Sequence, residues 1–329
     1  DNNNYFTTGC TLGYLSGNRN TLAQWQSATS QDANSTEVNP RLTSDYVARS
    51  SELLGTGTNL NAVLPVDIDG VMRPSNPVPG ANEIDIPNPL SGVYNVPADF
   101  PTITAAIQTL ADSGISGSVV IQINSGTYTE QLEVPYIPGV SATDSVIFES
   151  VSGNRNDVIV RFNNTSANNY VLEFNGTEHV TFRNMTFESL NTSYTRVVQF
   201  TNGSRKNGVI NCVLEGYQVS NTSTNYSTVY SRSRSSENRV EDCRIEYGSF
   251  GVYSSASSCS GSNERSIILA NNDIYRPYYM GVHIVNGYHA IVENNVIESS
   301  GSYQSYYGIY INNVDGPSRI VSNELFNGR

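Results

Sequence analysis

Six tyrosines fall within one short stretch: Tyr275, Tyr278, Tyr279, Tyr303, Tyr306 and Tyr307. Twelve of the chain's 21 tyrosines lie between Tyr226 and Tyr310. A surface aromatic ring can stack on the apolar face of a sugar, and the phenol adds a donor and an acceptor. The pattern around these six places them in loops between short strands, not in an interior column. They are the candidate glycan- or partner-binding residues. The plainer reading is that they cover loop edges and pack on one another. Other reactive groups are dispersed. His179, His283 and His289 stand beside no paired Ser or Asp motif. Arg239, Arg244 and Arg265 run near Glu241, Asp242, Glu246 and Glu264, as on a solvated strand face. Asp67-Ile68-Asp69-Gly70 opens like a calcium loop but lacks the further spaced ligands. Cys10, Cys212, Cys243 and Cys259 make no CxxC and no Cys/His cluster, which argues against zinc. From these groups we expect no metal, no cofactor and no catalytic residue.

The composition narrows the partners. The 329 residues carry a formal charge of −12, and only 15% of them are charged. An acidic chain is repelled by phosphate, which argues against nucleic acid. No run of 18 apolar residues is present, so no membrane span is expected. Lys206 is the only lysine. Asn, Ser, Thr, Gly and Tyr supply most of the polar surface, a composition that suits turn-rich β structure. The chain opens at Asp1 inside a polar run, shows no signal peptide, and stops soon after a strand pattern. It reads as a piece of a longer exported protein.

A repeat positions these residues. VTFRNMTF (Val180 to Phe187), GVINCVL (Gly208 to Leu214), RVEDCRI (Arg239 to Ile245), ILANNDI (Ile268 to Ile274), IVENNVI (Ile291 to Ile297) and IVSNELF (Ile320 to Phe326) share one pattern. Each is a short alternating strand, a polar residue, a small or polar residue, and a closing apolar residue. Aligned on Asn184, Asn211, Asp242, Asn271, Asn294 and Asn323, they recur every 23 to 31 residues. That period suits one turn of a solenoid whose loops absorb insertions. The closing column Phe187, Leu214, Ile245, Ile274, Ile297 and Phe326 would then stack inside. The column Met185, Cys212, Cys243, Asn272, Asn295 and Glu324 would sit at a corner, where amides form a ladder. Cys212 and Cys243 would occupy adjacent coils as small buried hydrophobes, with a disulfide possible but not required. GVYS (Gly251 to Ser254), GVHIV (Gly281 to Val285) and GIYIN (Gly308 to Asn312) read as successive second strands.

Upstream, Ile103, Ala106, Ile107 and Leu110 mark an amphipathic helix, with Thr102 as N-cap and Gly114 or Gly117 as its end. Such a helix would shield the open end of the core. Residues 1–86 hold only scattered apolar positions, among them Leu22, Trp25, Leu42, Leu53 and Val66.

FPTITAAIQTL followed by VVIQINSGTYTEQLEVP resembles the opening of pectin-lyase-like β-helix proteins. It is most similar to the β-helix modules of large secreted surface proteins from Bacteroidetes-type bacteria, a likeness extended by IPGVSATDSVIFESVSGNRNDVIV. The resemblance covers roughly residues 90–329 and implies an all-β, right-handed parallel β-helix with a short N-terminal capping helix. Residues 1–86 resemble the last coil and tail of such a domain. The expected organisation is a closing segment over 1–86, a linker from Ile84 to Ser91, and a second, C-terminally incomplete β-helix over 87–329. The alternative is that 1–86 fold back as a cap.

NCVLEGYQ (Asn211 to Gln218) and EDCRIEYGSFGVY (Glu241 to Tyr253) resemble two consecutive motifs of pectin methylesterases. That family places an Asp directly after its GYQ, where this chain has Val219. Its second Asp falls where this chain has Gly248-Ser249-Phe250-Gly251. Its Arg-Trp substrate motif is also missing, since the sole tryptophan is Trp25. The resemblance thus supports coil register and argues against esterase activity. The expectation is a non-catalytic extracellular or cell-surface module, a stalk or adhesive segment. Its partners would be a polysaccharide or cell-surface glycan and neighbouring modules of the same chain. The rival is a polysaccharide-active lyase, hydrolase or esterase with an unfamiliar site. A phage-type fibre is a more distant alternative.

Overall fold

The computed structural model describes residues 1–7, 11–40, 42, 46–84, 88–232, 234–255 and 266–327. The chain divides into two compact units, one spanning Asp1–Pro89 and one beginning at Leu90. Asp85, Ile86 and Pro87 of the expected linker, and Cys10, Cys259, Glu264 and Arg265, lie outside the described residues.

The first unit is held mainly by polar contacts. A two-residue antiparallel ribbon pairs Gly13–Tyr14 with Asn18–Arg19. The helix Leu22–Thr29 follows, a feature the scattered apolar positions did not announce. Thr21 caps it by accepting from the Gln24 amide, and Ser30 ends it with φ of 56°. Asp32 accepts from Asn3 Nδ2, Tyr5 Oη, Trp25 Nε1 and Ser35 Oγ, all at 2.9–3.0 Å. These donors hold its carboxyl well below the usual carboxylate range. Leu22, Leu53 and Val78 are buried, whereas Leu42, Leu54, Leu60, Val63, Leu64 and Val66 are exposed.

The second unit is a parallel β-helix of about eight turns. The helix Ile103–Ser113 precedes most of its coils. Thr102 Oγ1 accepts from the Ala105 amide at 3.0 Å, and Gly114 ends the helix with φ of 65°. Its buried face is Ile103, Ala106, Ile107, Leu110 and Ala111. Three parallel sheets of nine, eight and seven strands then wind around one core. The nine-stranded sheet runs from Leu90–Val96 to Arg319–Val321, and the eight-stranded sheet from Gly126–Tyr128 to Glu324–Phe326. The seven-stranded sheet comprises Leu132–Val134, Leu172–Asn175, Val198–Thr201, Val229–Ser231, Phe250–Ser255, Met280–Tyr288 and Tyr307–Asp315.

Alternation fixes what points inward. Phe187, Leu214, Ile245, Ile274 and Ile297 pair in register from coil to coil, each fully buried. Burying each such side chain contributes about 1.5–3 kcal/mol, an upper figure if the unfolded chain is compact. Phenylalanines fill the middle of the core. Phe148 stacks on Phe182 at 4.4 Å, and Phe174 on Phe200 at 4.8 Å.

The last coil departs from the expected alignment by one residue. Ile297 pairs with Leu325, not Phe326, and Glu293 pairs with Val321. Asn323 therefore falls beneath Asn295 instead of Asn294, and Glu324 leaves the corner column. The slip has a physical reason. The inner corner position wants a side chain that serves the amides of its neighbour, and Asn323 Oδ1 accepts from the Asn295 backbone N–H and Nδ2 at 3.0 and 2.9 Å. The left-handed corner position is then Ser322, with φ of 54°. In earlier coils that position is Asn184, Asn211, Asp242, Asn271 and Asn294, residue types that enter the left-handed region readily.

Candidate functional site

The seven-stranded sheet repeats one local pattern, an apolar residue, a polar or aromatic residue, then an apolar or small residue. Its instances include Leu132-Glu133-Val134, Leu172-Glu173-Phe174, Val198-Gln199-Phe200 and Val252-Tyr253-Ser254. The flanking apolar residues belong to the core, so the pleat turns the middle residue outward. Strand register then aligns seven of these in one row: Glu133, Glu173, Gln199, Tyr230, Tyr253, His283 and Tyr310. Successive members are separated by the strand spacing, about 4.8 Å.

One end of the row is polar. Glu173 Oε1 accepts from Gln199 Nε2 at 2.9 Å and Thr201 Oγ1 at 2.6 Å. Asn175 Nδ2 donates to Glu133 Oε1 at 2.7 Å, and Tyr170 Oη donates to Glu133 Oε2 at 3.4 Å. Glu173 is only 9% exposed. Burial raises its pKa, outweighing the hydrogen bonds that lower it, and the Glu133 charge adds to the rise. Burial raises the Tyr170 phenol as well. Two carboxyls on neighbouring strands, one exposed and one buried toward its protonated form, are a chemical asymmetry that acid–base work uses.

The other end is aromatic. Tyr230 stacks on Tyr253 at 5.5 Å. His283 crosses Tyr253 and Tyr310 nearly at right angles, at 5.2 and 5.0 Å. Phe250 packs under Tyr253 and His283. Burial holds the His283 imidazole below its ordinary value, and its Nδ1 is buried with no partner among the described residues. Between the two ends sits Arg196. Its guanidinium lies 3.6 Å from the centre of the Tyr230 ring and donates to Thr224 O, Gln199 Oε1 and Asn225 Oδ1. Arg232, the residue just after the Tyr230 strand, donates to the Tyr230 hydroxyl at 3.4 Å.

The six tyrosines singled out from sequence are divided by the fold. Tyr278 and Tyr279 both contact Tyr303, at 5.3 and 5.2 Å, and Tyr279 reaches Phe250 at 5.4 Å. Tyr307 meets Tyr310 of the row at 5.6 Å. Tyr275 is elsewhere, on the outer face of the eight-stranded sheet beneath Arg244. Tyr306 has a buried hydroxyl with no partner among the described residues, and burial raises its pKa. Two of the six are not in loops. Tyr275 closes a strand and Tyr307 opens one, because each alternates with an inward neighbour.

The dispersed charges settle into local roles. Asp67 accepts from the amides of Asp69, Val71 and Glu83, which pins a turn and lowers its pKa. Arg239 pairs with Glu241, and Arg244 with Glu246 and Asp273. Val219 is half-buried and Phe250 is buried beneath the row. Sequence reasoning missed Glu133, Glu173, Gln199, Arg196 and Tyr230. Aligning the short apolar–polar–apolar triplets with GVYS, GVHIV and GIYIN would have shown the row.

No family model and no curated protein sequence matches the chain. Solved structures are similar to it at low identity. The pectin methylesterase from Aspergillus niger in deglycosylated form shares 15% identity at a TM-score of 0.39, over 72% of this chain and 91% of that one. The pectin methylesterase from Yersinia enterocolitica shares 14% at 0.40, over 70% and 94%. A mannuronic acid specific polysaccharide family 6 lyase from human gut microbiota shares 13% at 0.37, over 72% and 66%. At these values no residue role or activity carries over, and the parallel β-helix rests on the strand pairing itself. No helix among the described residues is long and apolar enough to cross a membrane.

Proposed function

We propose that the chain is an extracellular, polysaccharide-engaging β-helix whose seven-stranded face binds a glycan along the solenoid axis. The observation that carries this is the row from Glu133 to Tyr310, one side chain per coil in strict register, with Glu133, Tyr253, His283 and Tyr310 reaching solvent and Glu173, Gln199 and Tyr230 covered between them. Its spacing is close to the length of one pyranose unit in an extended chain. Carboxyl, amide, phenol and imidazole groups all hydrogen-bond hydroxyls, and the rings add apolar contact. Tyr279, Tyr303 and Tyr307 widen the aromatic end. The role as a surface or adhesive module follows from such binding without catalysis.

A second reading is polysaccharide cleavage, favoured by the Glu133, Glu173 and Tyr170 group. One experiment addresses both. Isothermal titration with neutral and acidic oligosaccharides should give binding that Tyr253→Ala and Tyr310→Ala each weaken about tenfold. Binding indifferent to both substitutions, or none to any oligosaccharide, overturns the proposal. Release of reducing or unsaturated ends that Glu173→Gln abolishes would establish the catalytic reading.

A further inference from the structure

Arg196 and Arg232 converge on one residue of the row, Tyr230. Arg196 covers the ring face and Arg232 reaches the hydroxyl. Neither guanidinium pairs with a carboxylate among the described residues. Arg196 donates only to two carbonyl oxygens of amide side chains and one backbone carbonyl. The nearest acid on the row, Glu173, is bonded to Gln199 and stands one side chain further off. The chain as a whole carries a net charge of −12, so carboxylates are not scarce. Elsewhere Arg73, Arg183, Arg205, Arg239, Arg244 and Arg319 each hold a carboxylate directly. A half-buried cation without a counter-ion costs free energy that an incoming anion would recover.

The surroundings restrict which anion-bearing glycan fits. On one side of Tyr230 the row continues as Gln199, then the carboxyl groups Glu173 and Glu133. On the other it continues as Tyr253, His283 and Tyr310, with burial disfavouring a charged His283. A chain with a negative charge on every sugar would set charges against the two glutamates, at about 4.8 Å spacing. A chain with an isolated charge would set it over the arginines and neutral sugars on either side. We infer that the row takes a glycan in which single anionic groups, a uronate or a sulfate ester, are separated by neutral sugars. Tyr230 marks the charged subsite. This rests on the glycan-binding reading above. Planar guanidinium donors suit either oxyanion.

The test uses the full chain and four tetrasaccharides of matched linkage: neutral, one internal uronate, one internal sulfate ester, and uronate at every position. Either singly charged probe should bind about tenfold more tightly than the neutral one, and the fully charged probe should not exceed it. The ratio between the two singly charged probes says which anion the arginines prefer. Arg232→Gln changes an exposed side chain and should bring the charged-to-neutral ratio close to one. Arg196→Gln should do the same, with folding checked by circular dichroism. Equal binding of neutral and singly charged probes, tightest binding of the fully charged probe, or a ratio unmoved by Arg232→Gln overturns the inference while leaving the glycan reading intact. No binding of any probe overturns both.

Discussion

Asn272 and Asn295 hold each other across adjacent coils. Asn295 Oδ1 accepts both the Asn272 backbone N–H at 3.0 Å and its Nδ2 at 2.9 Å. Asn295 in turn donates from Nδ2 to Leu269 O and from its backbone N–H to Asn323 Oδ1. Asn295→Leu would leave several of these buried groups unmatched. Each unsatisfied group costs about 1–3 kcal/mol, so a loss of roughly 3 kcal/mol or more is expected. Asn295→Cys should cost less, because Cys243 occupies this column above Asn272 and accepts the Cys212 amide at 3.4 Å. Denaturant midpoints of the two variants check the order, and equal losses would refute the ladder as a source of stability.

The coil register was largely legible because the inward column is apolar in every coil and its corner needs Asn or Asp. It failed at the last coil, where Ser322-Asn323 offers two polar residues and only the hydrogen-bond demand of Asn295 decides between them. The candidate site was less legible. Glu133, Glu173, Gln199 and Tyr230 lie in strands of three or four residues such as Leu132–Val134 and Leu172–Asn175, too short for alternation to stand out. The loops between them vary in length, so no fixed period links Glu173 to Gln199. Tyrosine density drew the eye to loops, while the register-forming tyrosines are Tyr230, Tyr253 and Tyr310.

Gly251, Gly281 and Gly308 are the second residues of successive strands of the seven-stranded sheet, in one column. A Cβ on Gly281 would lie 2.5 Å from Gly308 O and 2.5 Å from Ile297 Cγ2. The backbone carbonyl has little room to yield. Gly281→Ala is expected to destabilise by about 1–3 kcal/mol through overpacking. Gly153→Ala is a control for the left-handed cost alone, since its φ is 72° and nothing lies within 4 Å of its Cβ position. Thermal melts compare them, and a Gly281→Ala protein as stable as the parent would sink this account of the glycine column.

Glu173 gives the site a pH signature. Its folded pKa is raised by burial, so its protonated form favours the fold, and that contribution is lost as pH rises through the folded value. Glu173→Gln stays neutral throughout. The Tm difference between variant and parent should therefore grow more positive as pH rises from acidic to neutral. His283 has the opposite sense. Its folded pKa is lowered, so stability falls as pH drops below its ordinary value of about 6.5. His283→Gln should flatten that acid-side slope. Tm differences that do not vary with pH would remove both groups as titrating contributors.

Cys212 and Cys243 are free, fully buried and on adjacent coils. The Cys243 Sγ–H contacts Val209 O and Glu241 O, and burial raises the Cys243 thiol well above its ordinary value. A thiol that does not ionise and meets no solvent reacts slowly with disulfide reagents or alkylators. A Cys10→Ser/Cys259→Ser double variant isolates the pair. In native buffer it should yield no reactive thiol over the time in which glutathione is consumed, and in denaturant it should yield both. Two thiols reacting natively would mean that this corner of the solenoid opens readily. None reacting in denaturant would mean that the two sulfurs are bonded, and would replace the paired-thiol corner with a covalent link between coils.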